Sequence, residues 1–340
     1  MRSIAYRSAR RLAAALPVLL GVLVFTFVLM RLLPGDPAVF FASGPNSGEA
    51  EIQAMREKLG LDRSLPEQLI LYLGDVATGD LGASMTTGRP VMDDLAERLP
   101  ASLELTVVAL VLALATALPL GILAALMPGS VLDHVVRVVC TAGVAMPTFV
   151  SGLLLIFVFY YLLGWAPDPT GRIDVFLIVP PPVTGFLLID ALLAGDLEVF
   201  QAALGQLMLP AITMALFVLA PLARMTRASM LAALGGDFVR TARSLGLPGW
   251  KVVNVYALRN AILPVLTTTG IMFSTMLGAN VLVEKVFSWP GVGSYTLDAL
   301  LASDYAPVQG FVLLMAGIFV VVNLMVDLAY GIADPRVVIE

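Results

Sequence analysis

The sequence has very few of the residues that soluble enzymes use for chemistry. Among 340 residues there are one cysteine and one histidine, and charged residues make up 13%, against about 25% in ordinary soluble domains. A lone cysteine, Cys140, excludes a disulfide scaffold, and a lone histidine, His134, excludes a metal site built on paired histidines. No lysine follows a glycine, so the chain has no G-x-x-x-x-G-K-[ST] phosphate-binding loop.

Long apolar stretches are present instead. Hydrophobic residues make up 59% of the chain and mean hydropathy is +0.92, which excludes a disordered chain and a soluble enzyme of ordinary build. A membrane-spanning helix needs about 20 mostly apolar residues. Six stretches meet or approach this length: 12–33, 102–127, 135–163, 204–222, 261–283 and 307–332.

A seventh apolar stretch, 175–193, contains three consecutive prolines and a glycine. Prolines lack the backbone N–H, so a lipid-exposed helix there would leave carbonyl groups unpaired. We therefore exclude it and predict an all-α integral membrane protein with six transmembrane helices. The first span is too long for the apolar part of a signal peptide and has no small-residue cleavage site after it, so we expect it to remain as an anchor.

Charge predicts the orientation. Six spans place both termini on one side of the membrane, and most lysines and arginines fall in segments on that side. Basic residues near span ends mark the cytoplasm. Both termini and the connector 223–258 are therefore predicted to be cytoplasmic, and the loops 34–100 and 164–203 extracytoplasmic.

The first of these loops has helix-start patterns at Asn46 or Ser47 and at Ser64. We expect a small helical subdomain there. It would either shield the outer mouth of the bundle or form a docking surface for an extracytoplasmic partner. The second loop is apolar enough to pack on the bundle or to lie at the membrane surface.

The connector 223–258 contains a compact predicted helix. Asp237 suits a first helical turn, the helix would run through Leu245, and Gly246 with Pro248 would end it. A short helix that ends so sharply is typical of an element that a partner grips. The alternative is a helix that lies on anionic lipid headgroups.

The side chains of this predicted helix divide by position. Phe238, Ala242 and Leu245 recur at helical spacing and would share one face, and Arg240 and Arg243 would share another.

Polar groups at membrane depth are few. Arg31 and Glu104 lie near the outer ends of the first two spans, where they would snorkel or pair with each other. Asn280 and Asn323 suit hydrogen bonds between helices. An ion-coupled pump needs a chain of buried carboxylates and a membrane enzyme needs clustered catalytic groups, and neither pattern occurs. The energy source is therefore predicted to be another subunit.

Several short motifs follow one another along the chain. They are LPGDP at 33–37, LGLD at 59–62, GDLGAS at 79–84, LPASLEL at 99–105, RMTRASML at 224–231, DFVRTARSLGL at 237–247, ALRNAILP at 257–264, FSWPGVG at 287–293 and DPR at 334–336. In this order they resemble the first membrane subunit of the dipeptide/oligopeptide/nickel group of ABC importers, over essentially the whole chain.

This resemblance implies a type I ABC importer permease fold and a coupling helix that inserts into a groove of an ATP-binding subunit. The residues assigned to that contact are Asp237, Phe238, Arg240, Thr241, Ala242, Arg243, Leu245 and Gly246. The broader importer pattern has Glu where Arg240 stands, so an ion pair through that Glu is not carried over. Gate or structural residues on the outer side would be Arg31, Glu104, Trp289, Pro290 and Gly291, with Trp289 also suited to anchor at the membrane interface.

The resemblance also implies the assembly. The partners would be a second homologous permease subunit, two ATP-binding subunits, a periplasmic substrate-binding protein and the lipid bilayer of the bacterial inner membrane, with no nucleic acid. This chain would hold no cofactor, metal or catalytic residue, since ATP and Mg²⁺ belong to the partner subunits. Its parts would be 1–33 (tail and first span), 34–100 (periplasmic subdomain) and 101–340 (permease core).

The insertion 164–203 resembles the dipeptide branch of the group and favours di- and tripeptides as substrates. Import of glutathione, a nickel chelate or longer oligopeptides on the same scaffold remains an alternative, and a secondary transporter is a second one.

Overall fold

The computed structural model describes residues 2–32, 36–42, 48–174 and 176–333. Its helices are α1 (Arg2–Leu32), α2 (Pro37–Phe41), α3 (Glu49–Lys58), α4 (Leu65–Ala77), α5 (Val91–Leu126), α6 (Val131–Ala145), α7 (Thr148–Leu155), α8 (Leu187–Ala194), α9 (Leu197–Leu234), α10 (Asp237–Ser244), α11 (Gly249–Lys251), α12 (Leu258–Val286), α13 (Val292–Leu301) and α14 (Tyr305–Ala333). Wider π-helical turns extend α7 over Ile156–Leu162 and join α11 to α12 over Val252–Ala257. The all-α prediction is confirmed.

Five helical stretches in the described residues are long and apolar enough to cross a membrane. They are Ala14–Leu32, Val91–Leu126, Leu197–Leu234, Gly249–Val286 and Tyr305–Tyr330. Each contains or largely overlaps one of the six predicted spans.

The remaining predicted span, 135–163, is not the continuous helix that its apolar content led us to expect. Helix α6 ends at Ala145, Met146 is extended with φ −97° and ψ 131°, and a shorter apolar helix runs over Thr148–Leu162. Pro147 explains the break, because it lacks a backbone N–H and disfavours the helical conformation of the residue before it. The prediction of one unbroken helix was therefore wrong.

The proline-rich stretch 175–193 forms no span in its described part, and this exclusion is confirmed. The chain is irregular up to Phe186, and α8 is only eight residues long. It ends at Gly195, whose φ of 71° is the left-handed conformation that favours glycine.

Helix boundaries differ from the predictions where charged residues continue a helix beyond its apolar part. Helix α5 begins at Val91, before the predicted start of the second span at 102, and Asp93 and Asp94 in its first turn are favourable at a helix N-terminus. The predicted start at Ser64 is confirmed, since the Ser64 N–H donates to Glu67 Oε2 at 3.1 Å. The predicted caps Asn46 and Ser47 and the motif residues 33–35 and 334–336 lie outside the described residues.

The described residues form two compact units. The first contains the chain up to Ser102 together with Pro290–Val320, and its core packs the start of α5 against α13. The second contains Leu103–Trp289 and the described residues from Val321 onward. In the second unit α9 packs on α6, α7, α8 and α12.

Glycines allow close helix crossings within the second unit. A Cβ on Gly121 of α5 would lie 2.6 Å from the Cβ of Thr226 on α9, and a Cβ on Gly270 of α12 would clash with Val326 of α14. Small residues at such crossings let helix backbones approach closely, which is the usual basis of helix association in membranes.

Candidate functional site

The predicted gripped helix forms as α10, and both of its ends have a local cause. Gly236 is extended before its first turn, and Asp237 stands in that turn. At the other end the Gly246 N–H donates to Arg243 O at 3.0 Å and the Leu247 N–H to Ala242 O at 3.3 Å. With Gly246 at φ 71°, these two bonds make a Schellman motif, which closes a helix sharply.

Two side chains fix α10 to the second unit. Val239 and Ala242 are 1% and 3% exposed, and they pack in a core with residues from the end of α5, the end of α9, the π-helical turns before α12 and the start of α12. Those residues are Ala125, Met230, Ala233, Val252, Ala257 and Ala261. The helix is thus attached by one narrow apolar face to three membrane-spanning elements.

The other faces of α10 are exposed. Phe238 is 41% and Leu245 is 74% exposed, although apolar side chains of this size are ordinarily buried. The Arg240 side chain is 82% exposed, and its 3.7 Å ion pair with Asp237 lies on the surface. Thr241 and Arg243 are exposed as well.

Ala242 does not lie with the other two residues of its predicted face. Phe238, Ala242 and Leu245 were expected to share one face of the helix, but Ala242 faces the core beside Val239 while Phe238 and Leu245 are exposed. The sequence contains both repeats, since Val239 and Ala242 are three residues apart and Phe238 and Ala242 four. Because both spacings are helical, periodicity alone did not decide which side Ala242 takes.

A buried ion pair joins α6 to α9, and sequence reasoning missed it. Arg227 Nε and Nη2 donate to the two carboxylate oxygens of Asp133 at 2.6 and 2.8 Å, and the Asp133 side chain is 1% exposed. The Gly129 N–H donates to the same carboxylate at 3.0 Å. The hydrogen bonds from Arg227 and Gly129 lower the pKa of Asp133 to about 2. The pair therefore stays charged at neutral pH and holds the start of α6 on α9.

Glu104 has a partner that the sequence did not predict. The Leu188 N–H donates to Glu104 Oε1 at 2.8 Å, Arg172 Nη2 donates to Glu104 Oε2, and the same Nη2 lies 3.0 Å from Gly185 O. Glu104 is 3% exposed. These bonds fasten the 164–203 insertion to α5 within the second unit.

The insertion has a second buried carboxylate. Asp190 Oδ1 accepts from the Thr184 N–H at 2.8 Å and from the Thr184 hydroxyl at 2.7 Å, and Oδ2 accepts from the Gly185 N–H at 3.0 Å. Burial by itself would raise the pKa of Asp190, but these hydrogen bonds outweigh it and lower the pKa below its ordinary value. The carboxylate shapes the turn that leads into α8.

The segment after α12 corrects one assignment. Trp289 is 1% exposed, with the Arg172 guanidinium 5.9 Å from its ring. A tryptophan that anchors a protein at the membrane interface lies among headgroups, so that interpretation of Trp289 was wrong. Pro290 is exposed, and the buried Gly291 precedes the first turn of α13.

Arg31 has its contacts inside the first unit. Its Nε donates to Gln68 Oε1 at 3.0 Å, and its guanidinium lies 3.7 Å from the ring centroid of Phe27 and 5.5 Å from that of Tyr305. Arg31 belongs to the first unit and Glu104 to the second, so their pairing stays a prediction.

No group of three or more His, Cys, Asp and Glu side chains in the described residues is arranged to hold a metal ion. What the arrangement provides is a bundle of apolar helices with an exposed helix fixed to three of them.

Comparison with known proteins decides the family. The model for the binding-protein-dependent transport system inner membrane component matches residues 117–339, and the N-terminal model for the membrane components of such systems matches residues 6–106. The chain belongs to this family. As a binding-protein-dependent transport component it is a multi-pass membrane protein and a permease rather than an enzyme, as the sequence predicted.

Curated relatives of this permease match over nearly their whole length. The Probable D,D-dipeptide transport system permease protein DdpB of Escherichia coli (strain K12) is 45% identical, covering 94% of each chain. The Di/tripeptide transport system permease protein DppB of Pseudomonas aeruginosa (strain UCBPP-PA14) is 44% identical, covering 97% of each. The Dipeptide transport system permease protein DppB of E. coli K12 is 42% identical, over 96% of this chain and 97% of the relative.

Proposed function

We propose that this permease forms, with a second homologous permease subunit, the translocation path of an ATP-driven importer of di- and tripeptides. The observation that carries the substrate class is the likeness, over at least 94% of the chain, to relatives named for dipeptide or di/tripeptide transport. A periplasmic binding protein would deliver the peptide. Selectivity would rest mainly on that protein, so this chain needs no tight substrate site of its own.

Helix α10 is proposed as the contact with an ATP-binding subunit. Its exposed Phe238 and Leu245 are apolar anchors of the kind that protein interfaces bury, and the exposed Arg240 and Arg243 surround them with charge. The buried pair Val239 and Ala242 links the contact to the spans behind it. ATP and Mg²⁺ would be held by two such partner subunits and not by this chain.

The attachment of α10 explains how a movement would reach the membrane. Its buried face packs on α9 and on the start of α12, and both belong to membrane-spanning stretches. The Asp133–Arg227 pair ties α6 to α9. A push on α10 would therefore shift several helices together, as a rigid-body switch biased by ATP.

Localisation in the bacterial inner membrane, with both termini in the cytoplasm, follows from the same proposal. The ATP-binding subunits are cytoplasmic, so α10 has to be on their side. Six spans then require α7 with its π-helical extension to cross the membrane as the sixth span. Reporter fusions at Gly195 and Gly249 are expected on opposite sides.

ATP hydrolysis by the purified complex in lipid tests the function. It is measured with the binding protein empty and loaded with a dipeptide, with glutathione or with a nickel chelate. Stimulation by the dipeptide form is the expected result, and stimulation by another form alone would reassign the substrate. A complex that purifies intact without any associated ATPase would contradict ATP-coupled import.

A further inference from the structure

Arg31 is a partly buried cation for which the described residues supply no anion. Its Nη1 is shielded from solvent and has no hydrogen-bond acceptor, and no Asp or Glu forms an ion pair with Arg31 among the described residues. It is the penultimate residue of the span Ala14–Leu32. A charge removed from water is costly unless an opposite charge or several acceptors compensate it.

The contacts of Arg31 hold its guanidinium in one orientation. The plane lies against Phe27, which itself stacks on Tyr72 with ring centroids 5.7 Å apart. Tyr305 lies on another side, 5.5 Å from the guanidinium carbon. Gln68 takes the Nε edge. This arrangement is a rigid fork, the geometry with which arginine recognises carboxylates and phosphates.

A cavity of about 400 Å³ opens beside this fork, entirely within the first unit. This volume lies in the usual range of small-molecule sites. Gln309 also lines it, and the Gln309 Nε2 is a second buried donor without an acceptor. Two residues that carry an unpaired buried donor therefore line one cavity.

Two of the four acidic residues that line the cavity already accept hydrogen bonds from other groups. Asp304 Oδ2 accepts from the Ser84 hydroxyl and from Thr86 at 2.8–3.1 Å. Asp80 Oδ1 accepts from the Gly82 N–H at 2.8 Å. Two further basic residues, Lys58 and Arg63, line the wall, together with the acidic Glu57 and Asp75.

We propose that this cavity is a binding site for an oxyanion, a carboxylate or phosphate group, with Arg31 as its charged ligand and Gln309 as its second donor. The oxyanion supplies the charge and the acceptors that both donors lack. It comes either from a soluble molecule or from a lipid headgroup, since Arg31 stands at the end of a span. The site does not depend on the importer assignment.

Thermal unfolding of the purified chain in maltoside micelles tests the site with two probes. The first is inorganic phosphate, added against chloride at constant ionic strength, and the second is phosphatidylglycerol added to the micelles. A rise in Tm with phosphate identifies a soluble source, and a rise with phosphatidylglycerol alone identifies a headgroup. The absence of any rise with both probes would overturn the proposal.

The variant R31Q keeps a hydrogen-bonding side chain and removes the charge. R31Q is expected to need an about ten-fold higher probe concentration for the half-maximal rise in Tm, because a charge-assisted hydrogen bond is lost. R98Q is the matched control, because the Arg98 guanidinium lies 4.8 Å from the Tyr295 ring and does not line the cavity.

An equal probe response in wild type, R31Q and R98Q would show that the anion acts elsewhere and would overturn the proposal. If R31Q does not fold, Q309L removes the second donor without touching the charge. Q309L is expected to weaken the response, and an unchanged response would contradict the two-donor site.

Discussion

Two connectors of the second unit are held in opposite ways. Helix α10 is fixed by two small apolar side chains, Val239 and Ala242, and leaves two large apolar side chains exposed. The insertion 164–203 is fixed by buried carboxylates, Glu104 and Asp190, each of which accepts several hydrogen bonds.

The difference follows from what each kind of contact can do. Apolar packing is non-directional and tolerates small shifts. A helix held that way can therefore transmit a push while its packing contacts are kept. Hydrogen bonds to a buried carboxylate are directional, and breaking one leaves a costly unpaired group. We therefore expect changes to the carboxylates of the insertion to lower the stability of the fold. Changes to the exposed side chains of α10 should instead affect assembly with a partner.

The largest expected effect is that of Glu104→Leu. It leaves the part-buried Arg172 without its carboxylate and the Leu188 N–H without its acceptor, which should lower the free energy of unfolding by about 3 kcal/mol. Denaturant unfolding measures it. Adding Arg172→Leu to the first change should restore much of the loss, because the charge then disappears with its partner. A single variant as stable as wild type would contradict the role of this pair.

Asp190→Ala comes next, with an expected loss of about 2 kcal/mol from the unpaired Thr184 and Gly185 groups. The lowered pKa of Asp190 adds a pH dependence. Its ionised form contributes stability above the ordinary carboxyl pKa near 4, and this contribution fades as pH falls toward the lower folded-state value. The difference in unfolding midpoint between wild type and variant should therefore be smaller at acid pH than at neutral pH. An equal difference at both pH values would contradict this.

Gly246→Val should cost about 1–2 kcal/mol, because the left-handed conformation at this position disfavours a branched side chain. Space is not the obstacle, since a Cβ there would meet nothing within 4 Å. Gly246→Asn is the control, as asparagine tolerates this conformation. ATP-driven uptake should fall in the Val variant and persist in the Asn variant. Equal uptake in both variants would show that coupling does not depend on the sharp end of α10.

The smallest effect on stability is expected for Phe238→Ala with Leu245→Ala, within about 0.5 kcal/mol, because both side chains are exposed. Assembly with the ATP-binding subunits should nevertheless weaken, and co-purification measures it. Thr241→Ala on the same helix is the control. If the double variant unfolds readily but assembles normally, the comparison between the two connectors is wrong.

Much of this architecture was predictable because it rests on local patterns. Span composition, the proline-rich exclusion and the ends of α10 at Asp237 and Gly246 all depend on neighbours a few residues apart. The break at Pro147 was also readable in principle, since proline disfavours the helical conformation of the residue before it. The span was instead predicted from the apolar content of the stretch, and Pro147 was not taken into account.

Contacts between distant residues were not predictable. Arg227 pairs with Asp133 across 94 positions, and Arg172 reaches Glu104 across 68. Charge identity alone leaves many partners open for each of these residues. The burial of Trp289 could not be predicted from the sequence either. Whether this side chain contacts lipid or protein depends on which helices pack around it.

Cross-linking from α10 tests the central claim most directly. The chain has a single cysteine, Cys140, which is 1% exposed, so Leu245→Cys in a Cys140→Ala background places one reactive thiol on α10. In the assembled importer a bifunctional reagent should join this thiol to an ATP-binding subunit, and the same thiol at the exposed Leu193 of α8 should not react in that way. A cross-link from position 193 and none from position 245 would contradict the account.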